Sequence, residues 1–374
     1  MVLFLHHRYR IPGGEERAID RLADTVRSRL GEEVATLERD SLHVPAAAAG
    51  AGMLGGGLRP DQVARAVKQL GARVVHAHNL QPTFGWRALA AARDAGARVV
   101  LHLHQYRLVC AIGVGFRDGA ECTDCRGRNT LPGVLHNCRG ARGEALVYAA
   151  GIAAWQRAVL AQADVVVVPS RFARERLVQL GVPVSDACVV PNPVEATGGA
   201  EPATAGPRHG ALVASRLAPE KGVDVAVEAC ARAEIPLTVA GDGPERAALE
   251  ARARQAGATV RFLGRVSSAE LERLRARAAV AVVPSRSAET FGLAAAEAMN
   301  AGLPVAASRI GALPELVPSE WLVPAGDPDA LAAVIARLAA EPGAGARGRD
   351  LVRRAAGPDA VAQALRTAYE IACA

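Results

Sequence analysis

Lysine is nearly missing from this chain: of 44 lysines and arginines, only Lys68 and Lys221 are lysine. Arginine carries the positive charge, so a lysine inside a motif stands out. Aromatic residues amount to 3%. The interior is left to Ala, Val and Leu, and no basic stretch interleaved with aromatics argues for nucleic acid as a partner. No run reaches ~18 consecutive apolar residues, which excludes a membrane-spanning helix. Val2-Leu-Phe-Leu5 gives way at once to His6-His7-Arg8, too short a run for a secretory signal. A cytoplasmic, reducing setting is expected, one that disfavours disulfides. No Asp-x-Asp is placed to hold a metal-bound diphosphate. Asp327-Pro-Asp329 reads as a helix start, with Asp327 as N-cap and Pro328 at the first helical position.

A length of 374 residues suggests two domains, since single cores stop growing near ~250–300 residues. Val-rich runs alternate with Ala/Leu/Arg stretches of helical period. The first series is Val2–Leu5, Val34–Leu37, Val74–Ala77, Val99–Leu103, Val165–Val168 and Val189–Val190. The second is Ala211–Ala214, Leu237–Ala240, Val260–Leu263, Val280–Val283, Val305–Ala307 and Leu322–Val323. Continuous apolar runs separated by helices predict parallel strands buried on both faces, and two series predict two doubly wound α/β domains. The expected division is a first domain over 1–193 with an insertion at 109–142, a Gly/Ala/Pro-rich linker over 194–210, and a second domain over 211–356. A final amphipathic helix spans 357–374, with a return to the first domain left open. Ala46–Gly57, low in complexity, reads as a mobile loop.

The second half carries a set of groups suited to a nucleotide-sugar. Ser215-Arg216 and Glu220-Lys221-Gly222 follow its first strand. Arg216 forks onto a phosphate and Lys221 adds a compact charge. Gly241-Asp242-Gly243-Pro244 makes a tight turn at a strand's C-terminal end, where open α/β sheets bind ligands. Arg265, after another strand, lies where backbone could meet a nucleobase. In Glu289-Thr-Phe-Gly-Leu-Ala-Ala-Ala-Glu297 the two acids stand eight positions apart, a helical rise of about 12 Å. They cannot act on one atom, but can serve two ends of an elongated ligand. Glu289 is assigned to the donor sugar's hydroxyls and Glu297 to the ribose diol. The amides of Phe291, Gly292 and Leu293 face the phosphates.

In the first half, Gly13 and Gly14 open a helix and form an anion-friendly nest. The six-position dinucleotide fingerprint is not spelled there. His76, His78, His102 and His104 end two strands. His104 is the candidate hydrogen-bond donor to a sugar hydroxyl, while His76 and His102 are read as alternating with the others and pointing into the core. Cys110, Cys122, Cys125 and Cys138 lie in the insertion with a central C-x-x-C. Their spacing suits a structural zinc; disulfides and free thiols stay open. Cys188, Cys230 and Cys373 are scattered.

These residues, together with His76-Ala-His78-Asn79, His104-Gln-Tyr-Arg-Leu and Pro191-Asn192-Pro193-Val194, resemble the retaining glycosyltransferases of family 4, which have the GT-B fold. The resemblance covers nearly the whole chain and extends to a family subset with a Cys-rich insertion. It implies two Rossmann-like domains around a cleft and a donor held by Arg216, Lys221, Glu289 and Glu297. It also implies catalysis without a divalent cation, by front-face substitution in which the leaving diphosphate takes the acceptor's proton. The acceptor is a hydroxyl-bearing small molecule, a lipid-linked sugar or a polysaccharide, and the mildly basic surface admits peripheral contact with a membrane. The rival readings are a sugar-nucleotide epimerase of the same architecture and a non-catalytic two-lobed sugar-nucleotide-binding subunit.

Overall fold

The valine-rich runs become strands. The computed structural model describes residues 1–9, 13–194, 208–341 and 343–374. Most of the expected linker, 195–207, lies outside the described residues, as does Pro12. The chain forms two compact units. The first holds Met1–Gly115, Cys122–Pro193 and Asp359–Ala374; the second holds Phe116–Glu121 and Val194–Pro358.

In the first unit, β1 (Val2–Arg8), β2 (Val34–Asp40), β3 (Val74–Ala77) and β4 (Arg98–His102) come first. After a small antiparallel hairpin of β5 (Phe116–Arg117) and β6 (Ala120–Glu121), which groups with the second unit, β7 (Val165–Val168) and β8 (Cys188–Val189) complete the first unit's sheet. Its order is β2-β1-β3-β4-β7-β8, all parallel. The helices are α1 (Gly14–Thr25), α2 (Ala46–Gly55), α3 (Pro60–Leu70), α4 (Gly85–Asp94), α5 (Leu131–Leu135), α6 (Arg142–Ala161) and α7 (Arg171–Gln179). Alternate residues of β1 serve two cores. Leu3 and Leu5 pack with Val63, Leu89 and Leu177 of α3, α4 and α7. Val2 and Phe4 pack with Ile19 and Leu22 of α1 and with Val361, Leu365 and Ala368 of the last helix. That two-sided burial is why these strands read as unbroken apolar runs.

The second unit's sheet uses β9 (Ala211–Ala214), β10 (Leu237–Ala240), β11 (Val260–Gly264), β12 (Val280–Val283), β13 (Val305–Ser308) and β14 (Leu322–Val323). Its order is β11-β10-β9-β12-β13-β14, the 3-2-1-4-5-6 arrangement of a doubly wound sheet. Its helices are α8 (Val223–Arg232), α9 (Arg246–Gln255), α10 (Ser268–Arg277), α11 (Leu293–Asn300), α12 (Leu313–Leu316), α13 (Pro328–Ala340) and α14 (Ala344–Ala356). One core unites them around Trp321, Met299 and Val280. Asp327 caps α13 as expected, accepting from the amides of Asp329 and Ala330. The last helix, α15 (Pro358–Cys373), packs in the first unit. Among the described residues no helix is long and apolar enough to cross a membrane.

Ala46–Gly57 corrects the sequence reading: it is largely the helix α2, not a mobile loop. Consecutive alanines are the best helix formers, and Met53 is buried beside α6. Gly50-Ala-Gly52-Met-Leu-Gly55 does spell the dinucleotide spacing, but inside this helix rather than at a strand-to-helix turn.

Candidate active site

In the second sheet the order reverses between β9 and β12. Ligands of open α/β sheets bind outside the strand ends at such a point. The loop after β9 brings Lys221 and the loop after β12 brings Glu289. Lys221 Nζ lies 2.7 Å from Glu289 Oε1, and Ser285 Oγ donates to the same oxygen at 2.7 Å. Burial raises the Glu289 carboxyl's pKa, but the Lys221 charge and the bonds from Lys221 and Ser285 outweigh it and hold the group below its ordinary value. Glu289 is therefore ionised at neutral pH. Arg216, with its side chain 55% exposed, pairs with Glu220, an i,i+4 spacing the sequence already contained.

The neighbouring strand ends close on this loop. Gly241 passes so near Ser215 that a Cβ would fall 1.8 Å from the Ser215 carbonyl oxygen. Leu217 N–H donates to Asp242 O at 3.0 Å, and Gly241 N–H donates to Gly264 O at 2.8 Å. Arg265, exposed, follows directly, while Asp242 faces Arg246 at 3.6 Å. Gly292, with φ +92°, is the N-cap of α11, whose first residue is Leu293; Phe291 is buried just before it. The segment from Glu289 to Glu297 is thus only half helical, and the 12 Å helical rise does not apply: Glu289 stands in the loop. Glu297 is buried against Arg275, 2.5 Å away. The structure joins Lys221 to Glu289 and holds Glu297 by Arg275 instead. Ser285, Glu220 and Arg275 had been given no role. Only Glu220 had a local signal.

In the first unit the strand-end histidines share one face. Rings stack between His76 and His78 (4.4 Å) and between His102 and His104 (4.1 Å). Residues two apart in a strand point the same way, so the expected alternation between His76/His102 and His78/His104 was wrong. Tyr369 of α15 hydrogen-bonds His76 Nδ1 at 2.8 Å, His76 Nε2 pairs with His102 Nδ1 at 3.3 Å, and His78 Nδ1 pairs with His104 Nε2 at 3.0 Å. Burial drives the pKa of His76 and of His104 down to about 3, with neighbouring histidine charges acting the same way and Asn192 opposing at His104. The ladder is neutral. His76, His78 and His102 also place ligand atoms within 4.8 Å of one another; both ring nitrogens of His76 are engaged, by Tyr369 and by His102.

Beside this ladder a cavity of about 730 Å³, its open mouth included, is lined by Tyr9, Glu15, Gln105 and Arg107 and also by Asn79, Gln81, Gln156 and the ladder histidines His78, His102 and His104. Apolar walls come from Met53, Leu80, Leu108, Ile152, Trp155 and Val159. Gln105 Nε2 donates to Glu15 Oε2 at 2.6 Å, Tyr9 OH donates to Glu15 at 3.2 Å, and the Arg107 guanidinium lies 4.8 Å from the Tyr9 ring centre. Burial pushes the Glu15 carboxyl up to about 7, although Arg107 draws it back. The glycine nest needs correction: Gly13 N–H already donates to Glu16 Oε2 at 2.6 Å, so the helix's own acid takes that amide, and Gly14 is the first residue of α1.

None of the seven cysteines forms a disulfide. Burial pushes the Cys125 thiol up to about 11, and Cys110, Cys138 and Cys122 lie near enough to add to the shift. Tetrahedral zinc at ~2.3 Å from each sulfur needs sulfurs about 3.8 Å apart. Among the described residues, the three ligand atoms within 4.8 Å of one another belong to the histidines.

Residues 7–193 match the description of a glycosyl transferase 4-like domain, and residues 208–341 match glycosyl transferases group 1. The chain belongs to this glycosyltransferase family. Among curated relatives, it is 37% identical over 131 residues to the uncharacterized glycosyltransferase MJ1607 of Methanocaldococcus jannaschii, covering 32% of this chain and 33% of that protein. It is 35% identical over 146 residues to the amylovoran biosynthesis glycosyltransferase AmsK of Erwinia amylovora, covering 34% and 35%. The chain thus spans about a third of the length of these relatives. Anabaena Alr3699/HepE, solved in complex with UDP and glucose, has the same fold with a TM-score of 0.66 at 18% identity, covering 99% of both chains. The fold is GT-B.

Proposed function

We propose that the chain is a retaining glycosyltransferase that moves a hexosyl group from a nucleotide-diphosphate donor to an acceptor hydroxyl. The observation that carries this reading is the Lys221–Glu289 pair, 2.7 Å apart at the switch point of the second sheet. The HepE structures with UDP and UDP-glucose support a nucleotide-sugar as the donor.

In this reading Arg216 turns from Glu220 to the diphosphate, Lys221 neutralises it, and the amides at Phe291, Gly292 and Leu293 add the positive end of α11. Gly241, Asp242 and Arg265 border the nucleoside, with Glu297 at the ribose. Ionised Glu289 accepts from the sugar's hydroxyls. As the glycosidic bond breaks, charge grows on the leaving diphosphate, and fixed cations favour that state over the bound substrate. The diphosphate takes the acceptor's proton. A histidine with a pKa near 3 gives up no proton at neutral pH, so His104 serves as a neutral hydrogen-bond partner. Titrating the protein with UDP-, GDP-, ADP- and TDP-sugars should raise its melting temperature for one base, with transfer that persists in EDTA. No shift with any of them, or transfer abolished by EDTA, overturns the reading.

The cysteine insertion is proposed to hold a structural zinc, after rearrangement of its thiols. About one equivalent of zinc per chain is expected by elemental analysis; less than a few tenths counts against it. A cytoplasmic location with peripheral membrane contact accompanies this proposal.

A further inference from the structure

The cavity of the first unit does not suit a purely polar acceptor. Apolar side chains dominate its walls, among them Met53, Leu80, Leu108, Ile152, Trp155 and Val159. Of its polar lining groups, His78, His104, Asn79 and Gln156 are hydrogen-bonded to other parts of the first unit, and Glu15, Gln105 and Arg107 form one cluster. A hydroxylated molecule alone would strip water from its own polar groups against those walls without replacement bonds, which is unfavourable. The surroundings repeat the pattern. Of the eight exposed large hydrophobic side chains among the described residues, Leu54, Leu131, Leu135 and Leu146 stand on α2, α5 and α6. Helices α2 and α6 line the cavity, and α5 packs on α6. Exposed Arg142 and Arg157 share α6 with Leu146. A mainly apolar cavity that also holds one polar cluster matches a ligand with an apolar chain and a hydroxylated head.

We propose that this cavity takes an aliphatic chain carried by the acceptor, with the acceptor's hydroxylated head at Glu15, Gln105 and Arg107. The proposal rests on the transferase reading for the word acceptor; the site itself does not. The rise of Glu15 toward about 7 fits a carboxyl able to donate as well as accept at the head. The chain source is either a bilayer lipid or a free amphiphile, and the chemistry required of the cavity is the same.

The test uses methyl, hexyl and octyl β-glucoside, each below its micelle concentration, titrated calorimetrically into the full chain. Burial of a methylene at ~0.8 kcal/mol is about fourfold in affinity, so octyl should bind roughly fifteenfold tighter than hexyl, one molecule per chain, with methyl too weak to measure. Trp155→Ala and Ile152→Asn should each weaken octyl binding at least tenfold, with melting curves reporting whether each variant is folded; the half-exposed Trp155 position keeps the test alive if Ile152→Asn does not fold. Equal affinity along the series, several molecules per chain, or undiminished octyl binding in a folded variant overturns the proposal. UDP-glucose titrated into the same preparation separates the two claims: donor binding without chain-length dependence sinks the cavity proposal alone, and chain-length dependence without binding of any nucleotide-sugar sinks the transferase reading alone. Co-sedimentation with phosphatidylglycerol vesicles identifies a bilayer source if the protein is retained and a free amphiphile if it is not, and either supports the proposed chemistry.

Discussion

The two sheets end differently at comparable places. The second unit gathers charge at its strand ends: Lys221 against Glu289, Arg216 against Glu220, Asp242 beside Arg246. The first unit gathers neutral rings, four stacked histidines beside a largely apolar cavity. The same parallel architecture therefore supports two unlike environments, because strand ends fix where loops emerge and not what the loops carry. A charged edge suits a ligand whose charge increases during reaction. A neutral, sheltered edge suits a ligand that must be oriented and kept from water.

The contrast can be broken most directly at its charged side. Lys221→Ala should lower turnover by about 10²–10³-fold, the scale of losing one preorganised donor, and should also lower the melting temperature, because Glu289 loses the charge that offsets its burial. Steady-state rates within threefold of wild type would erase the distinction between the two edges. Next comes the packing that brings the strand ends together. Gly241→Ala places a methyl 1.8 Å from Ser215 O, and overpacking of about 1–3 kcal/mol should lower the melting midpoint by roughly 2–10 °C, read by calorimetry. An unchanged midpoint would mean that the β9 and β10 loops are not held as described. The smallest effect is expected on the neutral side. The Glu15 pKa is raised from 4.5 to about 7, so the stability associated with its protonated form is present below about 4.5 and is lost as pH rises through about 7. Glu15→Gln keeps a neutral group at every pH. Its melting temperature should therefore gain on wild type between pH 5 and pH 8, with Arg107, Glu16 and Tyr9 as the charged and titratable neighbours. A gap that does not vary with pH would show that Glu15 ionises as freely as an exposed acid.

Much of the fold was legible because burial on both faces leaves a simple trace. Val165–Val168 and Val280–Val283 carry no alternation, and both are interior parallel strands. Helix α2 was misread because its glycines looked like loop punctuation, whereas contact with α6 outweighs their weak propensity. The histidines were individually conspicuous, but their shared face follows from strand period and needed the strand bounds. At the candidate site, Lys221 and Glu289 could each be singled out, yet not as partners 68 positions apart. Arg275 gave no sign of holding Glu297, because nothing in a helix's own periodicity points to a residue on another element 22 positions away.

Composition and periodicity settled the class of architecture and the list of chemically able residues, since propensity, burial and charge are properties of short segments. The pairing of those residues was decided by the three-dimensional fold. Whether Lys221 meets Glu289, whether Glu297 lies against Arg275, and whether Glu15 sits in a cavity with Gln105 and Arg107 depend on which elements become neighbours. That order is the outcome of sheet assembly across the whole chain, and no local stretch encodes it.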